Sequence, residues 1–548
     1  MTDLRTAALS WIADDPDPRT RAELSRLMAV KAWDDVADRF AGRLQFGTAG
    51  LRGELGAGPN RMNRATVTRA AAGLAAYLNA HGGGRVVVGF DARHDSDMFA
   101  IDTVEVMRGA GLEAILLPRP TPTPVLAYAI LRLGCAAGVM VTASHNPAAD
   151  NGYKVYLGSG SQIVPPADAE ISAAIDAVGR LAEVPRGKGW TVAGDDLLDA
   201  YLAAVAGQSL TPERDLRIAY TPLHGVGRDV LLRAFAKAGF PAPVVVAEQA
   251  APDPDFPTVP FPNPEEPGAM DLALTLGAAS GADLVIANDP DADRCCVAVG
   301  GRVLRGDELG ALLADHVLRH TSGADRLVVT TIVSSTLLRR MAAAHGVRYA
   351  ETLTGFKWIM RADQPGTRFV FGYEEALGYC IGAVRGPGVV RDKDGISAAL
   401  AVAEIAAELK ARGLTLLDRL DELAREFGLH ATEQWAVRVT SLEEISSAMA
   451  LLRAAAPSEL GGLSVVRTVD LLAGSATLPP TDGVTYWLGD AADPCGRVVV
   501  RPSGTEPKLK AYLELVVPVT SSVAEARGHA AGVLAAVKVS LRELTGLT

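Results

Sequence analysis

The chain has 548 residues, 49% of them hydrophobic, and a formal net charge of −11. That length exceeds what a single hydrophobic core serves, so roughly three to five domains are expected. The acidic balance excludes a protein that coats nucleic acid through a basic surface, and any anionic substrate has to meet locally gathered cations.

In chain order, Met1-Thr2-Asp3-Leu4-Arg5 lacks the basic-then-apolar pattern of a secretory signal, and no later apolar run is long enough to span a bilayer. A cytoplasmic protein with no membrane partner is expected. An Asp- and Arg-rich N-terminal stretch reads as helix. The first strands are Arg85–Phe90, Ala114–Leu117 and Gly138–Val141, short apolar runs separated by Ala-rich helical segments, which is the pattern of βαβ units around a buried parallel sheet. The pattern returns in Arg217–Tyr220, Val244–Val246 and Leu284–Ala287, and again in Leu327–Thr330 and Phe369–Phe371. From about Trp435 onward it changes to that of a smaller α+β unit, with strands at Trp435–Val439, Arg497–Val500 and Leu509–Leu513 and a closing Ala-rich helix.

The expected fold class is therefore α/β: three consecutive similar domains with mixed, largely parallel sheets, followed by an α+β domain. The domains are placed at 1–207, 208–306, 307–428 and 429–548, with breaks read in the stretch Pro185–Gly189 and near Gly300-Gly301. The Pro-rich segment Pro252–Pro267 reads as an extended connector. Cys135, Cys295, Cys296, Cys380 and Cys495 show no CxxC spacing and an odd count, which fits reduced structural thiols.

Three loops carry chemistry. Thr142-Ala143-Ser144-His145-Asn146-Pro147 directly follows an apolar strand, where parallel α/β sheets present ligand loops, so Ser144 is a candidate nucleophile, with a plain turn before Pro147 as the alternative. Asn288-Asp289-Pro290-Asp291-Ala292-Asp293-Arg294 also follows a strand, and alternate carboxylates converge if the loop is extended. An oxygen-only cluster suits a hard cation, and a phosphate partner favours Mg2+; an EF-hand is excluded because Arg294 stands where that loop needs Gly and Gly300 where it needs Glu. Arg501-Pro502-Ser503-Gly504-Thr505-Glu506-Pro507-Lys508 combines Arg, hydroxyls and Gly in the form of a phosphate cradle, a hairpin turn being the alternative.

Together these loops resemble those of the α-D-phosphohexomutase family, the phosphoglucomutases and phosphomannomutases, in that family's order along nearly the whole chain. Phe46-Gly47-Thr48-Ala49-Gly50-Leu51-Arg52-Gly53 is similar to the family's N-terminal active-site loop, and Gly372–Tyr379 to its sugar-binding loop. The resemblance implies four domains around a central cleft and a mobile fourth domain. It implies a phosphorylated Ser144 that exchanges phosphate with a hexose 1- or 6-phosphate through a bisphosphorylated sugar, with glucose 1,6-bisphosphate as primer. Magnesium would be held by Ser144, Asp289, Asp291 and Asp293. Catalysis would use Ser144, His145, Lys154 and Arg52, with Lys154 the candidate base, its pKa lowered by burial and by Arg52 and Arg294; for His145 an orienting hydrogen bond is favoured over proton transfer. Substrate would meet Arg294, Gly355, Lys357, Glu374, Glu375, Ala376, Arg501, Ser503, Gly504 and Thr505. The Glu374-Glu375-Ala376 form, with Ala376 where hexose-specific members often carry serine, and Thr354-Gly355-Phe356-Lys357 resemble a subgroup that includes phosphopentomutases, so ribose or deoxyribose 1-phosphate is the alternative substrate. A monomer or homodimer is expected.

Overall fold

The computed structural model describes residues 2–439, 441–503 and 508–547. The chain divides into two compact units, Met1–Leu304 with Ala376–Glu408, and Arg305–Glu375 with Leu409–Thr548.

The first unit opens with three helices, Thr2–Asp14, Pro18–Ala29 and Trp33–Arg39, packed on a small core of Ala8, Leu24, Leu27, Val36 and Ala57. The first sheet follows, built from β1 (Leu51–Glu54), β2 (Arg85–Phe90), β3 (Glu113–Leu116), β4 (Ala137–Val141), β5 (Asp150–Leu157) and β6 (Thr191–Val192) in the order β1-β5-β4-β2-β3-β6. The four strands β4-β2-β3-β6 are parallel, whereas β5 pairs antiparallel with β4 and β1 antiparallel with β5. Continuous Val-rich runs in β2 and β4 are buried on both faces, as the apolar pattern requires.

Five strands, β7 (Ile218–Thr221), β8 (Val244–Val245), β9 (Leu284–Ala287), β10 (Cys296–Val299) and β11 (Arg302–Val303), make a second sheet in the order β11-β10-β9-β7-β8. Here β8, β7 and β9 are parallel, and β10 and β11 are antiparallel additions.

In the second unit β12 (Arg326–Thr331), β13 (Arg348–Thr352) and β14 (Arg368–Glu374) pair in parallel in the order β13-β12-β14. After β14 the chain rejoins the first unit, where β15 (Gly378–Ile381) meets Arg294 in an isolated antiparallel bridge at Gly378. The last sheet, β16 (Leu429–Arg438), β17 (Glu459–Leu460), β18 (Leu463–Asp470), β19 (Val484–Gly489), β20 (Pro494–Pro502) and β21 (Lys508–Val517), is wholly antiparallel in the order β16-β21-β20-β19-β18-β17. The helices Leu442–Ala454 and Val523–Thr545 cover its core, which contains Trp435, Tyr486 and Val500. The α/β class and the change of design before the C-terminal sheet are as expected from the sequence.

Three expectations change. Pro185–Gly189 is no break: Gly187 N–H donates to Glu105 O at 2.8 Å, and the chain then supplies β6 to the first sheet. Gly300 and Gly301 form the turn between β10 and β11, inside the second sheet. Pro252–Pro267 is not an extended connector but a series of turns anchored by buried Phe256 and Val259, because two large apolar groups and a cation–π contact from Arg93 (4.8 Å to the Phe256 ring) outweigh what proline prefers locally. Among the described residues no helix is long and apolar enough to cross a membrane.

Candidate active site

The loop after β4 brings Ser144 to the surface of its sheet as a nearly buried hydroxyl in the left-handed backbone region, φ 53°. A non-glycine residue there costs on the order of 1–2 kcal/mol and persists only where the surroundings over-determine it. Arg93 does so. Its guanidinium, buried beside Asp91 at the end of β2, donates Nη1 to Pro147 O (2.7 Å) and Asp150 O (3.0 Å), and Nη2 to Ser144 O (2.6 Å) and Asn146 O (2.5 Å). Ser144 N–H is also taken up, by Thr142 Oγ1 at 2.9 Å.

Two antiparallel strands deliver the neighbouring cations. Lys154 lies on β5 opposite Met140, and Arg52 on β1 opposite Gly152, so both stand on the edge nearest the Ser144 loop. Arg52 Nη1 donates to Asn146 Oδ1 at 3.0 Å. β1 can lie this close only because residue 50 is glycine: its φ is +77°, and a Cβ there would sit 1.9 Å from Tyr153 O.

The acidic loop after β9 supplies the counterpart. Asp289, Asp291 and Asp293 bring oxygens within 4.8 Å of one another, all three side chains being buried. They converge through a turn rather than by alternation along an extended segment: Ala292 adopts φ 52°, its N–H bonds to Asp289 O at 2.8 Å, and Asn288 Nδ2 staples the loop by donating to Arg294 O at 2.6 Å. Thr123, opening the helix Thr123–Leu133, holds Asp291 through its N–H (2.9 Å to Asp291 O) and hydroxyl (2.5 Å to Oδ2). Ser144 Oγ lies 2.7 Å from Asp289 Oδ2 and 3.2 Å from His145 Nδ1.

Charge around this cluster is lopsided. Lys154 Nζ sits 2.7 Å from Asp291 and 3.0 Å from Asp293, and Lys393 Nζ 3.1 Å from Asp293. Burial pushes all three aspartates up. Lys154 reverses this at Asp291, and Lys154, Lys393 and Arg294 reverse it strongly at Asp293, so that both carboxyls are held below the usual range. Asp289, which faces Ser144, is raised well above it by burial and by the other two carboxylates. The ammonium contacts thus fall on Asp291 and Asp293. Asp291 Oδ1 and Asp293 Oδ1 are buried without a hydrogen-bond donor. Orphaned acceptors in an all-oxygen set fit a hard divalent cation.

The expected lowering of Lys154 is not found: burial does depress it, but Asp291 and Asp293 together outweigh burial, Lys393 and Arg52, and the ammonium is held above its ordinary value. His145 behaves otherwise, since burial and then Arg294 and Arg52 keep its pKa well below the ordinary value, so it is a neutral ring beside Ser144. Arg294 N–H donates to Asp289 Oδ1 at 3.0 Å, and its guanidinium is 3.4 Å from Glu265 in the Pro-rich segment.

Ser144, His145, Lys154, Arg52, Arg294 and the three aspartates are therefore brought together in the first unit. Gly355, Lys357, Glu374, Glu375, Arg501 and Ser503 belong to the second, where Glu374 ends β14 and Arg501 and Ser503 stand at the end of β20; Ala376 is the first residue after the second unit is left. Gly504 and Thr505 lie outside the described residues.

Sequence reasoning missed Arg93, Thr123 and Lys393. Arg93 was signalled by Asp91-Ala92-Arg93 directly after a buried parallel strand. Lys393 was signalled by the run Arg391-Asp392-Lys393-Asp394-Gly395 before an apolar helix. That run is buried against the site: Asp392 Oδ2 accepts from Tyr156 OH (2.7 Å) and Gln162 Nε2 (3.0 Å), and a Cβ at residue 395 would meet Arg294 O at 2.2 Å.

Residues 43–181, 199–302 and 305–427 match the three alpha/beta/alpha domains of phosphoglucomutase/phosphomannomutase, and residues 490–518 match its C-terminal domain. A "Probable phosphomannomutase" of Haemophilus influenzae is 45% identical over 83% of this chain and 93% of its own length. The chain belongs to the α-D-phosphohexomutase family. It is thus a phosphosugar mutase, an isomerase that works by phosphoryl transfer. A "Probable phosphoribomutase" of Schizosaccharomyces pombe is 35% identical over 92% of each chain. A solved "putative phosphomannomutase" of Thermus thermophilus superposes with a TM-score of 0.69 at 27% identity, over 89% of this chain and 99% of that one.

Proposed function

We propose that this mutase interconverts hexose 1-phosphate and hexose 6-phosphate, of glucose, mannose or both, through a phosphorylated Ser144 and a bisphosphorylated sugar. The observation that carries the reading is the Ser144 hydroxyl 2.7 Å from Asp289, at the rim of a buried three-carboxylate set in which Asp291 Oδ1 and Asp293 Oδ1 have no hydrogen-bond donor. Asp289, Asp291 and Asp293, with an oxygen on Ser144, would hold Mg2+, which when bound supplies charge neutralisation to the transferring phosphoryl group.

In the forward half-reaction the Ser144 Oγ–P bond breaks, a new P–O bond forms to the free sugar hydroxyl, and that hydroxyl's proton passes to a base. Lys154 is the candidate base. Lys154 bonds Asp291 and Asp293 through Oδ2, and a divalent cation on the same two carboxylates would weaken that hold; a Lys154 released from them is left with burial, Lys393 and Arg52, all of which favour the neutral amine. His145 orients Ser144 by hydrogen bond, and Arg52 and Arg294 face the phosphoryl group. Arg501, Ser503, Gly504 and Thr505 would take the substrate phosphate, and Gly355, Lys357, Glu374, Glu375 and Ala376 the sugar. Return of the second phosphate from the bisphosphate to Ser144 closes the cycle, so glucose 1,6-bisphosphate is the primer. A cytoplasmic setting belongs to the same reading, with which five unpaired cysteines agree.

A second reading, a phosphopentomutase acting on ribose or deoxyribose 1-phosphate, is favoured by Ala376, which offers the sugar no hydroxyl, and by the S. pombe relative's name. Specificity constants of the purified protein for glucose, mannose, ribose and deoxyribose 1-phosphates, with Mg2+ and primer, decide between them. Hexose preference that vanishes in Ser144→Ala supports the first reading; mutase turnover that survives in Ser144→Ala would refute the phosphoserine cycle in both.

A further inference from the structure

β20 and β21 pair antiparallel, and at the end of β20 stand Arg501 and Ser503 of the proposed phosphate loop. Four residues before Arg501, Arg497 stands directly opposite Glu514, Nη2 to Oε2 3.2 Å, both side chains buried. Neither spends its bonds within the strand pair alone. Glu514 Oε1 accepts from Ser335 Oγ (2.8 Å), Thr336 N–H (2.7 Å) and Thr336 Oγ1 (3.0 Å), and lies 3.0 Å from His430 Nδ1. Arg497 Nη2 donates to Ser334 O, and Nη1 lies 3.8 Å from Glu351, near the end of the strand that leads to Gly355 and Lys357.

Ser334 also turns the other way, its hydroxyl donating to Glu375 Oε2 at 3.3 Å, with Thr331 Oγ1 3.4 Å from the same oxygen. Within the second unit, then, one buried ion pair between β20 and β21 is bonded to segment 334–336, touches the strand before the 354–357 loop, and reaches Glu375 through one serine. A buried ion pair adds little net stability over apolar packing, but it fixes the relation of the elements it joins, because an off-register arrangement leaves a charge unpaired.

We infer that Arg497 and Glu514 are positioning residues that hold the end of β20, with Arg501 and Ser503, at a fixed distance from the sugar-recognising loops, and so determine the phosphosugar span that is accepted. This rests on the substrate contacts assigned under Proposed function. Pentose and hexose phosphates differ in ring size and in the distance between their two reacting oxygens, and a misplacement of about 1 Å costs on the order of 10²-fold in rate.

The test measures kcat and KM separately for glucose 1-phosphate and ribose 1-phosphate, with Mg2+ and saturating glucose 1,6-bisphosphate, in the full-length parent, Glu514→Gln and Arg497→Met. The ratio of the two specificity constants is expected to contract by about tenfold, with the preferred substrate losing most and its KM rising. An unchanged ratio, whether activity holds or both substrates decline together, overturns the inference. Should either variant fail to fold, Ser335→Ala and Thr336→Val, which each trim Glu514's partners, answer the same question with a contraction of about twofold or more expected. A parent that turns over none of glucose, mannose, ribose and deoxyribose 1-phosphates sinks the substrate assignment itself, an outcome distinct from an unchanged ratio.

Discussion

Asp307 offers a stability experiment whose sign depends on pH. Its carboxylate is buried, accepting from Ser335 N–H at 2.7 Å and Tyr373 OH at 3.1 Å. Burial raises its pKa, and Glu514 adds to the rise; the bonds from Ser335, Tyr373 and Thr432 oppose it without prevailing, leaving Asp307 pushed up to about 6 from 3.8. The folded protein thus binds this proton more tightly than the unfolded chain does. The associated stability is fully present below pH ~3.9 and is lost as pH rises to about 6. A shift of roughly two units corresponds to about 3 kcal/mol of strain at neutral pH, at ~1.4 kcal/mol per unit. Asp307→Asn removes the charge and keeps an oxygen able to accept both bonds. Thermal unfolding of parent and variant, followed from pH 4.5 to pH 8, is expected to show melting temperatures that diverge with pH, the variant gaining several degrees above pH 7 and little at pH 4.5. A difference independent of pH, or a variant that loses stability as pH rises, would refute the reasoning, since it would mean that the ionised carboxylate is favoured where it sits.

Two further substitutions probe the Ser144 site. Arg93→Met leaves four backbone carbonyls and Asp91 without their buried cation; a destabilisation of about 3–5 kcal/mol in chemical denaturation is expected, with mutase activity falling further than the folded fraction does. Lys393→Met removes a positive charge 3.1 Å from Asp293, so divalent-cation affinity by titration calorimetry should rise by about tenfold or more, because a cation then meets one fewer competitor for that carboxylate.

Much of the fold was legible because its signals are local. Buried parallel strands such as β2, β4, β9 and β12 announce themselves as uninterrupted Val/Ile/Leu/Ala runs, and each fell within a residue or two of its place. Glycine and proline misled where tertiary packing overrode them. Pro185–Gly189 lies across the helix Ser96–Gly109 because two glycines allow the backbones to touch: a Cβ at Gly109 would sit 2.1 Å from Pro185 O, and one at Gly187 2.7 Å from Arg108 C. A contact of that kind is set by a partner some eighty residues away, and no window of sequence contains it.

The site divides along the same line. Ser144, Asp289, Asp291 and Asp293 could be named because each stands in a compact motif at the end of a strand, where the sheet itself points the loop. What the motifs do to one another could not be read from spacing. Lys154 was expected to be pushed toward neutrality by cations, yet its nearest charges are Asp291 and Asp293, more than a hundred residues on. The sign of a pKa shift follows from whichever charge is nearest in space, and the register of β5 against β4 decides that here by setting Lys154 beside Met140. Arg93 escaped notice for a related reason. Its partners are main-chain carbonyls, which have no signature in sequence, and its importance appears only once Ser144 is seen to occupy a conformation that something must hold in place.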